Sequence, residues 1–248
     1  AKIGKNVKIG PFCVIGNNVV LGDNVEIKSH VVIDGITTIG DGTVVFSFAS
    51  IGSRPQDLKY SGEDSEVVIG KNNSIREYVT IQPGTKDDKN KTIVGDNNLL
   101  MVGVHIAHDC VVGNHCIFAN YVSLAGHVEV GDYAIIGGLS AVQQFTKVGK
   151  HSITGGLSGL AKDLIPYGLA NADRATLEGI NLVGLNRRGF DKSKSLEASK
   201  VVKEIFTSQD SVFNERIARA VKEYPDNEIV QDIGKFLMSE NRKFCGFK

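Results

Sequence analysis

The sequence predicts an all-β parallel β-helix of hexapeptide repeats over residues 1–165, followed by an α-helical domain over residues 166–248. Three observations carry this reading. Aliphatic residues recur every six positions through most of the first part. Polar stretches near 54–66 and 84–91 interrupt the repeat, which resumes after each. Beyond Pro166 the apolar spacing becomes helical.

The first run is Ile3, Ile9, Ile15, Leu21, Ile27, Ile33, Ile39, Val45 and Ile51, with a small or β-branched residue two positions before each. Neither a 3.6-residue helix nor one long alternating strand gives this pattern. A short strand with two inward positions, followed by a turn, does. The phase returns at Ile69, Ile75 and Ile81, slips by one residue across Gly84 to Lys91, and runs on from Val94 through Ile106, Phe118, Leu124 and Val142 to Val148. Three hexads make one coil of a triangular prism, and adjacent coils stack at about 4.8 Å, the spacing of hydrogen-bonded strands. The second interruption, GTKDDKNK, is too polar to pack, and the first, near 54–66, reads as an external loop or a degenerate turn of the solenoid. Cys110 and Cys116 fall on small inward positions, so with Cys13 and Cys245 they read as free thiols in a reducing compartment. Past Pro166, helices are expected at 173–186 with Gly189 as a stop, at 195–207, at 211–224 ended by Pro225, and at 227–238.

Composition excludes several classes. Lys and Arg total 28, as do Asp and Glu, so there is no basic field for nucleic acid. Tryptophan is absent and aromatics are 7%, thin for base stacking. No apolar run approaches the roughly 18 residues of a membrane-spanning helix, and no signal-peptide pattern opens the chain, so a cytoplasmic protein is expected. Residues 181–248 hold 13 basic and 10 acidic side chains, leaving the remainder negative by the same margin.

The chemistry concentrates in histidines. His105 and His108 lie off the inward stripe in the segment HIAHDC, and His127, one coil and one residue after His108, belongs beside it on the next coil. A histidine next to a carboxylate, here Asp109, suits a general base. Gly126 precedes His127, where its N–H suits an oxyanion. His30, His115 and His151 read as ordinary polar cover. Zinc-ligand spacing and a close thiolate pair are both missing, so no metal is expected. Walker A and dinucleotide fingerprints are missing too, which leaves side chains such as Arg187 and Arg188 to hold any phosphate.

Together with DNNLLM (96–101), the segments HIAHDC (105–110), LAGHV (124–128), AIIGG (134–138) and GINLVGLNRRGF (179–190) resemble the UDP-N-acetylglucosamine O-acyltransferase family of hexapeptide-repeat enzymes. The resemblance covers essentially the whole chain. The general crossover rule predicts a right-handed coil; the family's coil is left-handed, and the resemblance is followed. It implies a bacterial, cytoplasmic homotrimer with active sites between adjacent prisms. Such an enzyme transfers a 3-hydroxyacyl chain from acyl carrier protein to the 3-hydroxyl of the UDP-amino sugar, in the first step of lipid A synthesis, and uses no cofactor. His108 is then the base, Asp109 its support, Gly126 the oxyanion donor and His127 the group that orients substrate. Asp57, Lys59, His105 and Gln143 line the pocket, and Gly156 leaves room in an acyl groove. Asn181 and Arg188 hold the nucleotide from a neighbouring chain, and Arg187 faces the acidic carrier protein. The chain opens inside a hexad, as would a family member lacking most of its first coil. Gln82 and Gln143 stand where many members have histidine, Val183 where a glutamate is usual, and Arg174 where a histidine is usual. The alternatives are an N-acyltransferase acting on a UDP-linked 3-amino sugar, which needs the same base, and a non-catalytic β-helical scaffold.

Overall fold

A computed structural model describes residues 1–239 and 242–248. Short parallel strands, mostly of two residues, form three sheets that wall a left-handed triangular prism. Most of the two-residue strands turn the first residue outward and the second inward, as at Leu99–Leu100 and His105–Ile106. Leu99 pairs with Ile117 and His105 with Ser123, an offset of 18 residues per coil. The inward aliphatics therefore stack on their own kind. One such column runs Ile33, Ile51, Ile81, Ile106, Leu124, Val142 and Leu160, all buried.

Some polar groups at the second inward position of the hexad bond along the stack. In the second sheet, buried Asn73 and Asn98 form a ladder. The Asn73 Oδ1 accepts from the Asn98 N–H at 2.8 Å, and the Asn98 Oδ1 accepts from the Cys116 N–H at 2.7 Å. Their amides donate to the Gly95 and Gly113 carbonyls at 2.8 and 3.0 Å. Cys110 and Cys116 are buried and free, and burial pushes both thiols up to about 12.

Turns at the three corners place one residue in the left-handed region, and these residues also stack. His30 lies between Phe12 and Phe48, with centroids at 4.8 and 5.1 Å. His115, Tyr133, His151 and Tyr167 stack along another corner. These three histidines, expected as polar cover, are members of aromatic columns. Burial, with Arg188 and Lys150 nearby, lowers the His151 imidazole to about 4.

The helix expected at 173–186 is corrected to a β-hairpin followed by a short helix. Strand Gly168–Asn171 adds in parallel to the second sheet, and Thr176–Ile180 returns antiparallel against it. The Asn171 and Asp173 carboxyl or amide oxygens accept from the next residue's N–H, fixing the turn, and Ala172 and Gly179 have φ of +96° and +139°. Leu177 and Ile180 point inward, an apolar spacing that a helix shares. Four helices follow: α1 (Leu182–Arg187), α2 (Lys192–Thr207), α3 (Phe213–Glu223) and α4 (Glu228–Met238). Asn181, Asp191 and Asn227 cap α1, α2 and α4 with their side chains. The final residues come back to the prism. The Asp163 N–H donates to the Lys243 carbonyl and the Cys245 N–H to the Asp163 carbonyl, while the Leu177 N–H donates to the Gly246 carbonyl. No helix among the described residues is long and apolar enough to cross a membrane.

Asn98→Ala strands the Cys116 N–H and the Gly113 carbonyl inside the prism. Unfolding in urea is expected to show a loss of about 2–4 kcal/mol, from two buried groups left unpaired; a loss below about 0.5 kcal/mol would contradict the ladder's role.

Candidate active site

Both loops leave the same corner of the prism, where the third sheet gives way to the first. Strand Ser50–Ile51 ends in the third sheet and Glu66–Ile69 begins in the first; Thr80–Ile81 and Lys91–Val94 repeat the relation one coil on. The next two turns at this corner are His108–Asp109 and Gly126–His127. The loops are tied to each other: the Asn90 amide donates to the Asp64 carbonyl at 2.7 Å, and the Lys86 N–H to Glu63 at 3.2 Å.

Asp109 is fully buried. Its carboxylate accepts from the Thr85 N–H at 3.0 Å, from the Thr85 hydroxyl at 2.6 Å and from the His108 Nδ1 at 2.9 Å. With Nδ1–H given to Asp109, the His108 Nε2 is the free basic atom, and Asp57 Oδ2 lies 3.9 Å from it. Gly126 sits one coil above His108. A Cβ there would lie 2.5 Å from the His108 Cε1 and 2.6 Å from Nε2, so glycine is required by the ring's approach, not by its own φ. Among the described residues none accepts from the Gly126 N–H.

His127, over Asp109, meets the His108 ring edge to face, with centroids 4.9 Å apart at 89°. Its other face stacks on Phe145 at 4.3 Å, and its Nδ1 is 2.7 Å from Asp88 Oδ2. His105 is the outward residue of its strand, with Nδ1 2.7 Å from the Thr80 hydroxyl. Burial, then the nearby His108, lowers its pKa. A cavity of about 430 Å³ opens beside these rings, lined by Asp57, Lys59, Asp88, Lys89, His127 and Phe145 among others. Candidate ligand atoms of His108, Asp109 and His127 lie within 4.8 Å of one another. Both Asp109 oxygens are already taken by Thr85 and His108, and the His127 Nδ1 by Asp88, an arrangement suited to proton transfer more than to holding a cation.

The corner gathers Asp57, Lys59, His105, His108, Asp109, Gly126, His127 and Gln143. Lys59 is exposed, 3.7 Å from Asp87 across the two loops. Gln143 is exposed, two residues before Phe145. Four expected residues lie elsewhere on the prism. Gly156 is in the turn between the second and third sheets, stacked over Gly138. Asn181 and Arg188 lie at the corner between the first and second sheets. There the Asn181 amide donates to the His151 carbonyl at 3.1 Å and Arg188 to the Tyr133 carbonyl at 3.0 Å. Arg187, at the end of α1, is exposed. Sequence reasoning missed Thr85, Asp88 and Phe145. The two loop residues were read as part of a polar interruption, although an Asp-Asp-Lys run beside a histidine cluster was a visible signal.

A family model described as UDP N-acetylglucosamine O-acyltransferase, domain 2, matches residues 163–245, and a six-repeat bacterial transferase hexapeptide model matches 1–35 and 91–126. An acyl-[acyl-carrier-protein]–UDP-N-acetylglucosamine O-acyltransferase of Rickettsia bellii is 59% identical over 249 residues, covering 100% of this chain and 88% of its own. The chain belongs to the UDP-N-acetylglucosamine O-acyltransferase family. Two solved family structures bracket its shape. The Francisella novicida enzyme has a TM-score of 0.94 at 38% identity, with 99% of this chain and 90% of that one covered. The Arabidopsis enzyme has a TM-score of 0.86 at 33% identity, with 99% and 96% covered. As a family member the chain is an acyltransferase, which removes the scaffold alternative.

Gly126→Ala tests the ring's approach. The added methyl must push His108 off its bond to Asp109, so kcat/KM for acyl transfer should fall about 100-fold, the scale of a 1 Å misplacement, and stability should fall by about 1–3 kcal/mol as the buried carboxylate loses a donor. Full activity in the variant would mean that the ring can work from elsewhere.

Proposed function

We propose that the chain transfers a 3-hydroxyacyl group from acyl carrier protein to the 3-hydroxyl of UDP-N-acetylglucosamine, the first step of lipid A synthesis, in the bacterial cytoplasm. The observation that carries the mechanism is the buried Asp109 holding the His108 Nδ1–H, with Gly126 packed on the same ring. The His108 Nε2 removes the proton from the sugar hydroxyl as that oxygen attacks the thioester carbonyl. The carbonyl oxygen takes the negative charge and accepts from the Gly126 N–H. Collapse of the tetrahedral intermediate breaks the C–S bond, and His108 returns its proton to the departing thiolate. Asp109 stays ionised and stabilises the imidazolium between the two steps. Asp57, within reach of the same nitrogen, and Lys59 and His105 contact the sugar. His127 orients it, Gln143 lines the pocket and Gly156 leaves the groove open for the chain. No acyl-enzyme, metal or nucleotide cofactor is required.

The chain acts as a homotrimer. Asn181, Arg187, Arg188 and Gly156 lie at corners other than that of His108, and a threefold assembly turns a neighbour's corners toward it. Asn181 and Arg188 then meet the UDP moiety from that neighbour, and Arg187 meets the acidic carrier protein. Light scattering should give three times the chain's 26.7 kDa, and a monomer at micromolar concentration would refute the shared site.

The reaction is tested by incubating the purified protein with UDP-N-acetylglucosamine and 3-hydroxyacyl carrier protein, with the product read by intact mass and alkaline hydrolysis. An alkali-labile ester is expected, and His108→Ala should lower kcat about 10²–10⁴-fold while folding normally. Preference for the 3-amino analogue, giving a stable amide, would overturn the ester assignment. Near-native kcat in the variant would overturn the base.

A further inference from the structure

We infer that Asp88 is a positioning residue for the transfer reaction: the loop carries its carboxylate onto His127, holds the Nδ1–H there and so presents Nε2 to the substrate. This deepens the reading above and rests on its assignment of His127 to substrate orientation.

The ring is held at one nitrogen, on one face and at one edge. The His127 Nδ1 lies 2.7 Å from Asp88 Oδ2, one face stacks on Phe145 at 9° interplanar angle, and the ring meets His108 at 89°. The backbone is fixed as well: the His127 N–H donates to the His108 carbonyl at 3.0 Å. Of the ring's two nitrogens, Nδ1 is therefore committed to a carboxylate and Nε2 is the one left for a ligand.

The carboxylate is itself held in place. Asp88 shares Oδ2 with Lys89, whose Nζ is 3.1 Å away and reaches on toward Glu129 at 3.9 Å. Burial raises the Asp88 carboxyl, but hydrogen bonds from His127 and Lys89 outweigh it and keep it below the usual carboxylate range. The loop's fold comes from the same residue that serves Asp109. The Thr85 carbonyl accepts from the Asp88 N–H at 3.3 Å and from the Asn90 N–H at 3.1 Å, while its N–H and hydroxyl are bonded to Asp109. Thr85 thus links two parallel His–Asp pairs, His108–Asp109 and His127–Asp88. Gly84, at the loop's foot, has no room for a Cβ against Lys91.

The test uses the full-length protein labelled with 15N, together with acyl-transfer kinetics. Imidazole 15N correlation spectra should show His127 protonated at Nδ1 in the native protein. In Asp88→Ala that preference should be lost, and in Asp88→Asn, which keeps an acceptor oxygen, it should be retained. Asp88→Ala should lower kcat/KM about 10-fold, the worth of one charge-assisted hydrogen bond. In a His127→Ala background the same change should cost less than about 2-fold, because the partner is gone. A native His127 carrying its proton on Nε2, or an equal loss from Asp88→Ala in both backgrounds, would overturn the proposal. Failure of the underlying reading looks different. Native protein would then form no acylated sugar, or His127→Ala would retain full activity, while the spectra still report the Asp88 contact.

Discussion

The buried carboxylate of Asp109 is the constraint on which the site depends. An isolated anion in the interior is costly, and it persists there only when its oxygens are fully hydrogen-bonded. Three donors meet it, two from Thr85 and one from His108. Those donors determine the rest: the loop must fold so that Thr85 arrives, and the imidazole must present Nδ1 inward. One buried charge therefore fixes the orientation of the His108 imidazole and the conformation of a neighbouring loop. Removing either partner would leave the carboxylate short of a donor, which couples local stability to the orientation of His108.

The repetitive part was legible because its pattern is physical. A residue that points inward on each hexad meets its own kind on the next coil, so Ile81, Ile106 and Leu124 announce a stack long before any coordinates. Three of the four helical segments were legible for the same reason, since their apolar residues face one side only. The segment from 173 to 180 was not. Leu177 and Ile180 are three apart, a spacing that a helix and a hairpin bent at Gly179 both satisfy. The asparagine ladder also escaped notice, because an inward Asn98 looks like an error in an apolar pattern until its partners are visible.

At the site, the histidine cluster on the repeat was readable, whereas Thr85 and Asp88 on the second loop, and Phe145 at a later turn, were not. His108, Gly126 and His127 are placed by the 18-residue coil, so arithmetic on positions brings them together. Thr85 and Asp88 are placed by a loop whose path follows from hydrogen bonds and not from periodicity. The resemblance to the acyltransferase family supplied what spacing could not, namely roles for residues that sit on three different corners. Asn181 and Arg188 lie at a different corner of the prism from His108, and only the proposed trimer would bring them to it.

The return of the chain's last residues to the prism has a consequence for solubility. A stack of parallel strands presents open backbone amides and carbonyls at its end, a template on which another stack could grow. Here each of the three walls is closed differently. The hairpin at 168–180 reverses strand direction over the second, Leu164 and the 243–245 segment cover the first, and Gly159 in the third bonds to Ala172 and Ala175. Among the described residues the hairpin's return strand is antiparallel, and the Leu164, Phe244 and Phe247 contacts are single bridges, so no further full coil is started at this end. The repeat that lets coils add within one molecule therefore stops at this end on a reversed strand and short bridges, features that work against another stack continuing it.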